Sequence, residues 1–254
     1  MNGSVFQQLL DARRESPRLL WLIDPDKVEP RRPDPRWAMA SDCGVAALLV
    51  GTSQEDNPNL DCSIASIRKH ASLPLILFPG SAAQVSPHVD AVLFLTLLSG
   101  RNPDFLVGQQ VKGAPVVRDY GIEPIPTGYI LVDTGTATSV AKHSNTAPIP
   151  QADITSICDH ALCAQYMGQS VVYLEAGSGA ECPISPRVIE AVRREIQTPL
   201  IVGGGIKTPE ACHVAARAGA DFVVVGTALE NDRSEQLLRE LSETTRATGV
   251  AIRS

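Results

Sequence analysis

Two short apolar runs in the last quarter of the chain each stop at glycine, and they constrain the fold more than any other feature. Leu200–Val202 is followed by three glycines, and Phe222–Val225 is followed by one. Such uniformly apolar runs are typical of buried parallel strands. Glycine at the end of a strand lets the backbone approach a ligand, and the helix that follows offers free N–H groups to an anion. Two such units in tandem form the phosphate site of many β/α barrels, so the sequence predicts binding of a phosphate ester.

Strand and helix patterns alternate along the rest of the chain. It has 254 residues, 44% of them apolar, which suits one barrel of about 250 residues. The predicted strands are Leu19–Asp24, Ala46–Val50, Leu75–Phe78, Ala91–Leu95, Gly128–Val132, Val171–Glu175, Leu200–Val202 and Phe222–Val225. We therefore predict one α/β domain over residues 1–254, a (β/α)8 TIM barrel with a short amphipathic helix at the amino terminus.

Helical patterns lie between these strands, with two irregular regions. The predicted helices are Pro35–Cys43, Leu60–Ala71, Asp104–Val111, Asp153–Met167, Ser185–Ile196, Pro209–Ala218 and Ser234–Thr245. Pro79–Pro87 is short for a full helix and predicts an irregular segment in place of the third helix. Thr134–Gln151 follows the fifth strand, and long loops at that end of a barrel are usually lids or binding loops.

Composition excludes several classes of protein. A net charge of −6 argues against a nucleic-acid partner, because phosphate backbones require a basic footprint. No apolar run approaches the roughly 18 residues of a membrane span. The amino terminus lacks the basic-then-apolar order of a secretory signal. The six cysteines show no C-x-x-C spacing, so we expect reduced thiols, most of them small core residues, in a cytoplasmic protein.

Two carboxylates at the end of the first predicted strand are candidate ligands of a cation. Asp24 and Asp26 could hold Mg²⁺, which keeps several waters and binds substrate phosphates. The alternative is an Asp-Pro turn in which Asp26 caps a helix and Lys27 is in solvent. At the end of the second strand, the hydroxyls of Thr52 and Ser53 could join the metal or cap the next helix. The residues leave both alternatives open.

The sixth predicted strand ends in a segment that combines a carboxylate, a phenol and glycines. Alternation places Tyr173 and Glu175 on one face of the strand and Leu174 on the other. A buried glutamate is rare unless it is paired, so a purely structural interpretation has to supply a partner. The following Gly177 and Gly179 flank Ser178 and provide backbone N–H groups for an anion. We interpret this segment as functional.

Several segments together resemble the geranylgeranylglyceryl phosphate synthase family, which also includes heptaprenylglyceryl phosphate synthases. They are Leu22–Lys27 (LIDPDK), Val50–Ser53 (VGTS), Tyr173–Ala180 (YLEAGSGA), Ile201–Ile206 (IVGGGI) and Val225–Ala228 (VGTA). Ser99–Phe105, Gly128–Leu131 and Ser144–Ile149 fit the second sequence group of that family. The resemblance covers about Leu19 to Leu229. Many phosphate-binding barrels share the glycine motifs, whereas D-P-D-K combined with Y-L-E-A-G-S-G-A is specific.

The resemblance implies an ether-bond synthesis in lipid biosynthesis. The family joins the 3-hydroxyl of sn-glycerol 1-phosphate to C1 of a prenyl diphosphate, here geranylgeranyl diphosphate, with Mg²⁺ and release of diphosphate. Carried over by motif, Asp24 and Ser53 are the metal ligands, and Glu175 and Tyr173 are catalytic. The implied glycerol phosphate site comprises Tyr173, Leu174, Glu175, Ala176, Gly177, Ser178, Gly179, Gly204, Gly205, Gly226 and Thr227. Some members carry a basic residue where this chain has Leu22. The resemblance also implies paired subunits.

The chemistry of these residues is compatible with that reaction. Mg²⁺ on Asp24 would neutralise the diphosphate leaving group, so that the allylic C1 can take positive charge. Glu175 could accept a proton from the glycerol hydroxyl or only orient it. The prenyl tail needs an apolar groove, which we predict between Leu93–Leu98, Phe105 and neighbouring helices.

Two other interpretations remain at this point. The first is a different phosphate-ester enzyme on a barrel, such as an isomerase or an aldolase. The second is a non-catalytic barrel that binds a phospholigand, with Asp24 only capping a turn. The first accounts for the glycine loops but not for D-P-D-K together with the Tyr173 and Glu175 pair. Ligand binding that is independent of metal, without turnover, would support the second.

Overall fold

The computed structural model describes residues 4–52, 58–135 and 139–247, and in them eight parallel strands close into a barrel. Together with a ninth, two-residue strand outside this ring, β6, the strands in chain order are β1 Arg18–Ile23, β2 Val45–Val50, β3 Leu75–Leu77, β4 Ala91–Leu97, β5 Glu123–Asp133, β6 Ile149–Pro150, β7 Val171–Glu175, β8 Leu200–Gly203 and β9 Phe222–Val225. The order around the barrel is β1-β2-β3-β4-β5-β7-β8-β9, and β9 pairs with β1. The predicted barrel and its eight strands are confirmed, and β6 extends the sheet beside the end of β5.

Each strand is apolar throughout because both of its faces are buried. Leu20, Leu49 and Ile76 point into the barrel, where they join one cluster of buried side chains. Their neighbours Leu19 and Leu48 point outward into a second cluster beneath the helices. A strand covered on both sides needs no polar alternation, and this is why the runs read as continuous hydrophobic segments.

Helices surround the barrel. They are α1 Val5–Glu15, α2 Arg36–Met39, α3 Leu60–His70, α4 Gln109–Tyr120, α5 Ser139–Ser144, α6 Ile154–Tyr166, α7 Pro186–Glu195, α8 Pro209–Arg217, α9 Thr227–Asn231 and α10 Glu235–Arg246. Among the helices of the described ranges, none has the length and apolar character to cross a membrane.

Two predicted helices have the wrong bounds. The helix predicted over Pro35–Cys43 reduces to α2, because the chain turns at Gly44, whose left-handed φ of 86° leads into β2. The helix predicted over Asp104–Val111 begins with one π-helical turn and continues as α4 to Tyr120. It passes through Pro115 and ends at a left-handed Gly121.

The predicted irregular segment between β3 and β4 is confirmed. Pro79–Pro87 contains one short 3-10 turn, Ala82–Gln84, in place of a full helix. Gln84 anchors this turn, since its side chain accepts from the Gly80 N–H at 2.7 Å and donates to the Thr52 carbonyl at 3.3 Å. A full helix would have covered the outer face of β4, and the short turn leaves Phe94 only half-buried. An apolar slot therefore remains beside β4, lined by residues of the turn and of α4.

The long region after β5 contains a helix that the sequence did not predict. The structure forms α5 there, and its Val140 and Ala141 pack against the cluster inside the barrel. The His143 ring meets Phe105 edge-on at 5.5 Å, and the Asn102 side chain donates to the Ser144 carbonyl. This helix therefore covers part of the barrel mouth, as expected of a lid.

The opposite end of the barrel is closed by α1. Its Leu9 is buried inside the barrel, and the Glu123 carboxylate accepts the N–H groups of its first residues. The buried Asp221 carboxylate binds Arg13 of α1 at 2.8 Å, Arg193 of α7 at 3.0 Å and the Leu200 N–H at 2.7 Å. A ligand can therefore enter from the carboxyl ends of the strands.

The cysteines differ in part from the prediction. All six carry free thiols, but the prediction that most are core residues is wrong. Cys43 and Cys212 are buried and Cys158 is half-buried, whereas Cys62, Cys163 and Cys182 are exposed. The last three lie on surface positions of helices and loops, where composition alone cannot place them.

We predict that Asp221→Asn lowers the free energy of unfolding by about 3 kcal/mol, because two arginines lose their buried counter-charge. Urea denaturation measures this value. Asp11→Asn is the control, since Asp11 forms an exposed ion pair with Arg14 and should change stability far less. Equal effects in the two variants would contradict a role for Asp221 in closing the barrel.

Candidate active site

A large cavity opens at the carboxyl ends of the barrel strands and has two chemically different ends. Its polar end is lined by Asp24, Lys27, Glu175, Gly177, Ser178, Gly179, Gly204, Gly205, Lys207, Gly226, Thr227 and Glu230. Its apolar end follows the slot beside β4 and is lined by Ala82, Val85, Val92, Phe94, Leu95, Phe105, Gly113 and Val117. The predicted apolar groove near Leu93–Leu98 and Phe105 thus coincides with part of this wall.

Glu175 lies at the base of the polar end and is only 5% exposed. Its Oε1 accepts the Gly177 N–H at 2.6 Å, and among the described residues it forms no salt bridge. Burial raises the pKa of this carboxyl from 4.5 to about 7, although the Gly177 N–H and the Tyr173 hydroxyl lower it in part. A carboxylate with a pKa near neutrality is suited to accept a proton.

Three aromatic rings pack against one another beside Glu175. Tyr173 stacks on Phe78 with centroids 5.2 Å apart, and Tyr129 meets Tyr173 edge-on at 5.4 Å. Burial raises the pKa of both tyrosines well above the usual value, so their hydroxyls stay protonated. The Tyr173 hydroxyl lies beside the Glu175 carboxylate and lowers the pKa of that carboxyl. The phenol and the carboxylate therefore line the cavity side by side.

The sequence did not single out Phe78 and Tyr129, because each ends or occupies an apolar run that looks like ordinary core. The strand register supplied the missing signal, since Tyr129 is the direct neighbour of Tyr173 across the pairing of β5 with β7. Predicting that register from one sequence requires knowing where each strand begins.

The glycines at the end of β8 and directly after it are required by the side chains of β7. A Cβ on Gly203 would lie 2.5 Å from the Tyr173 hydroxyl, and a Cβ on Gly204 would lie 2.4 Å from Glu175 Oε1. Gly204 and Gly205 also have left-handed φ values of 84° and 70°. Gly203 was not among the predicted site residues, yet its missing side chain creates the space for the Tyr173 hydroxyl.

Backbone donors converge on the polar end. Two successive left-handed glycines form a concave surface of N–H groups of the kind that binds anions. Within the described part of the chain, the N–H groups of Ser178, Gly204, Gly205 and Thr227 donate to no protein acceptor. These donors come from the loops after β7, β8 and β9, as the glycine pattern predicted.

Two of the predicted ligand residues turn their side chains away from the cavity. Leu174 and Ala176 pack in the outer cluster beneath the helices, because strand alternation places them opposite Tyr173 and Glu175. Any contact of these two residues with a ligand would have to come from the main chain.

Asp24 lines the cavity and combines a capping contact with an ion pair. Its Oδ1 accepts the Asp26 N–H at 3.0 Å and so caps the short 3-10 turn Pro25–Lys27. The capping residue is therefore Asp24, as in the interpretation of a non-catalytic barrel, and the alternative in which Asp26 caps a helix is wrong. Asp24 Oδ2 lies 3.4 Å from Lys27 Nζ, which also binds Glu230 Oε2 at 2.6 Å. Burial is the main cause that raises the pKa of Asp24.

The donor set at Asp24 fits a Mg²⁺ ion that shares its coordination with a substrate. Mg²⁺ is usually held by one or two carboxylates together with phosphate oxygens and waters. In the described ranges no cluster of three or more His, Cys, Asp or Glu side chains could hold a metal. A metal at Asp24 would therefore need ligands from a substrate or from water in addition to those residues. Ser53, the second predicted ligand, lies outside the described residues.

Comparison with known proteins places this geometry in a family. The pattern of the PcrB family matches residues 11–245. The chain belongs to this family. It is 43% identical over 223 residues to a geranylgeranylglyceryl phosphate synthase of Thermococcus kodakarensis, covering 87% of this chain and 88% of that protein. It is 37% identical over 255 residues to a protein of the same name from Chitinophaga pinensis, with both chains fully covered.

Solved structures of the family superpose on the whole barrel. The synthase of Thermoplasma acidophilum in complex with sn-glycerol 1-phosphate gives a TM-score of 0.86 at 34% identity, over 96% of this chain and 99% of that chain. The protein of Thermoplasma volcanium gives 0.88 at 32% identity, over 99% and 100%. The predicted membership of the geranylgeranylglyceryl phosphate synthase family is confirmed.

We predict that Glu175→Gln stabilises the protein at alkaline pH. The folded-state pKa of about 7 exceeds the ordinary value of 4.5, so the stability contributed by protonated Glu175 is lost as pH rises through this interval. Glutamine keeps the acceptor for the Gly177 N–H and does not ionise. The melting temperature of the variant should exceed that of the wild type by at least about 2 °C at pH 8, with the difference vanishing near pH 4.5.

Glu29→Gln is the control, because it makes the same change of charge at an exposed position. A similar gain in both variants would assign the effect to net charge. A lower melting temperature of Glu175→Gln at pH 8 would contradict the description of Glu175 as a buried, unpaired carboxylate.

Proposed function

We propose that the protein is a Mg²⁺-dependent prenyltransferase that forms an ether between the 3-hydroxyl of sn-glycerol 1-phosphate and C1 of geranylgeranyl diphosphate. One observation carries the proposal: a single cavity connects a set of anion-binding loops to an apolar slot, and a buried carboxylate lies between them. This arrangement suits a reaction that joins a phosphorylated polyol to a hydrocarbon chain. The glycerol phosphate bound to the related Thermoplasma acidophilum synthase supports the assignment of the polar end.

The glycerol phosphate would bind with its phosphate on the N–H groups of the three glycine loops. Its hydroxyls then face Glu175 and Tyr173 at the base of the cavity. Glu175 holds one hydroxyl in position and accepts its proton as the new C–O bond forms, and the Tyr173 hydroxyl donates a hydrogen bond. The rings of Phe78 and Tyr129 keep water away from the reacting carbon.

Mg²⁺ would be held by Asp24 at the mouth of the cavity, with Ser53 as the second ligand implied by the family resemblance. When bound, the ion supplies positive charge to the diphosphate leaving group. Lys27 can release Asp24 for this role, because Glu230 remains as a counter-charge 2.6 Å away.

The prenyl chain would lie in the slot that replaces the third helix. The slot follows the outer face of β4 from Phe94 to Val92 and continues to Val117 of α4. Its walls are apolar side chains, so burial of the hydrocarbon supplies binding energy without a polar partner.

The two other interpretations, a different phosphate-ester enzyme and a non-catalytic barrel, explain fewer features of the cavity than a prenyltransferase does. An isomerase or aldolase of small phosphate esters would use the glycine loops but would leave the slot beside β4 without a ligand. A non-catalytic barrel would leave unexplained a buried carboxylate with a pKa near 7 at the centre of the cavity.

We also propose a homo-oligomer in the cytoplasm. The free thiols of the six cysteines favour a reducing compartment.

The proposal of a homo-oligomer rests on the family resemblance, and light scattering on the purified protein tests it.

The reaction is tested by incubating the purified protein with geranylgeranyl diphosphate and either sn-glycerol 1-phosphate or its 3-phosphate enantiomer, with Mg²⁺ or with EDTA. We expect a prenyl glyceryl ether from the 1-phosphate in the presence of Mg²⁺. Absence of product with this and longer donors would contradict the proposal. Full turnover in EDTA would retain the transfer and reject the metal.

We predict that Gly113→Leu shortens the prenyl donor that the protein accepts. Gly113 lines the slot, and a Cβ there would lie 3.6 Å from the Ala82 Cβ, so alanine fits while leucine fills the channel. The kcat/KM for geranylgeranyl diphosphate should fall tenfold or more, with little change for a ten-carbon donor. Gly113→Ala is the control, and equal loss for both donors in the leucine variant would contradict the position of the slot.

A further inference from the structure

The charges that line the polar end of the cavity are unevenly paired. Asp24, Glu175 and Glu230 supply negative charge, and two lysines, Lys27 and Lys207, supply positive charge. Lys27 already forms ion pairs, since its Nζ lies 2.6 Å from Glu230 Oε2 and 3.4 Å from Asp24 Oδ2. Lys207 differs from it. Its side chain is exposed at the cavity rim and forms no hydrogen bond or ion pair with any residue that the structure describes.

Lys207 lies on the same loop as the concave backbone surface. It follows Gly204 and Gly205 by two or three residues, and all three line the cavity. The N–H groups of those glycines offer partial charges, which orient an anion but do not neutralise it. A phosphate ester carries about two negative charges near neutral pH and would lie close to the carboxylate of Glu175. The site therefore needs a full positive charge.

We propose that Lys207 is the side chain that neutralises the phosphate of the glycerol substrate and thereby selects a phosphorylated polyol. The inference rests on the proposed function and assigns a residue to it. A lysine suits this position because its flexible stem carries three donors to a phosphate without fixed geometry. The phosphate keeps its charge throughout the reaction, so Lys207 binds ground state and transition state equally and acts on KM.

The test compares Lys207→Gln with the wild type in two measurements. The first is the KM for sn-glycerol 1-phosphate during prenyl transfer, and the second is its Kd by calorimetry in the absence of a prenyl donor. Both should rise about tenfold in the variant, equivalent to about 1.4 kcal/mol, while kcat changes less than twofold. Lys207→Arg should restore most of the affinity, and raising the salt concentration should weaken binding by the wild type more than by the variant.

Lys69→Gln is the matched control, because Lys69 is exposed on α3 and does not line the cavity. An unchanged KM and Kd in Lys207→Gln would overturn the inference. A rise in the KM for the prenyl diphosphate alone would also overturn it, since it would assign Lys207 to the leaving group.

The calorimetric measurement separates this inference from the proposed function. If the wild type binds glycerol phosphate, loses affinity with Lys207→Gln and yet forms no ether, the inference stands and the proposed reaction fails. If the wild type forms the ether and Lys207→Gln retains full affinity, the reaction stands and the inference fails.

Discussion

The burial of the Glu175 carboxylate without a cation is the constraint on which the site depends. Its Oε1 accepts one backbone hydrogen bond, from the Gly177 N–H. Position 204, in the loop after β8, requires glycine because a Cβ there would collide with the same oxygen. Tyr173 and its aromatic neighbours complete the enclosure. The same desolvation that raises the pKa of the carboxyl to about 7 destabilises the folded protein at alkaline pH. The site retains a group that costs stability, which is typical of catalytic residues.

Two features of the barrel determine where a ligand can enter and how much space it has. The seal formed by α1 and Asp221 closes one end, so ligands enter at the carboxyl ends of the strands, where the loops diverge. The short turn Ala82–Gln84 leaves a slot beside β4, and this slot meets the polar end of the cavity. The missing helix thus leaves an apolar slot that a complete ring of helices would fill.

Much of this arrangement could be predicted from the sequence, and the failures have physical causes. Uniformly apolar strands and glycine stops revealed the barrel, and the alternation of Tyr173 and Glu175 revealed their shared face. Phe78 and Tyr129 were missed because their contribution depends on strand register. The lid helix α5 was missed because six residues rich in polar side chains carry a weak helical pattern, and packing of Val140 and Ala141 stabilises it.

The most direct test of the account is the pH dependence of kcat/KM for prenyl transfer in the wild type and in Glu175→Gln. The substrates ionise identically with both proteins, so the ratio of the two profiles isolates Glu175. We predict that kcat/KM of the wild type divided by that of Glu175→Gln increases with pH with a midpoint near 7. At alkaline pH the ratio should reach a plateau of at least about 100. A ratio close to one, or one that does not vary between pH 5.5 and about 8.5, would contradict the role of Glu175 as the proton acceptor.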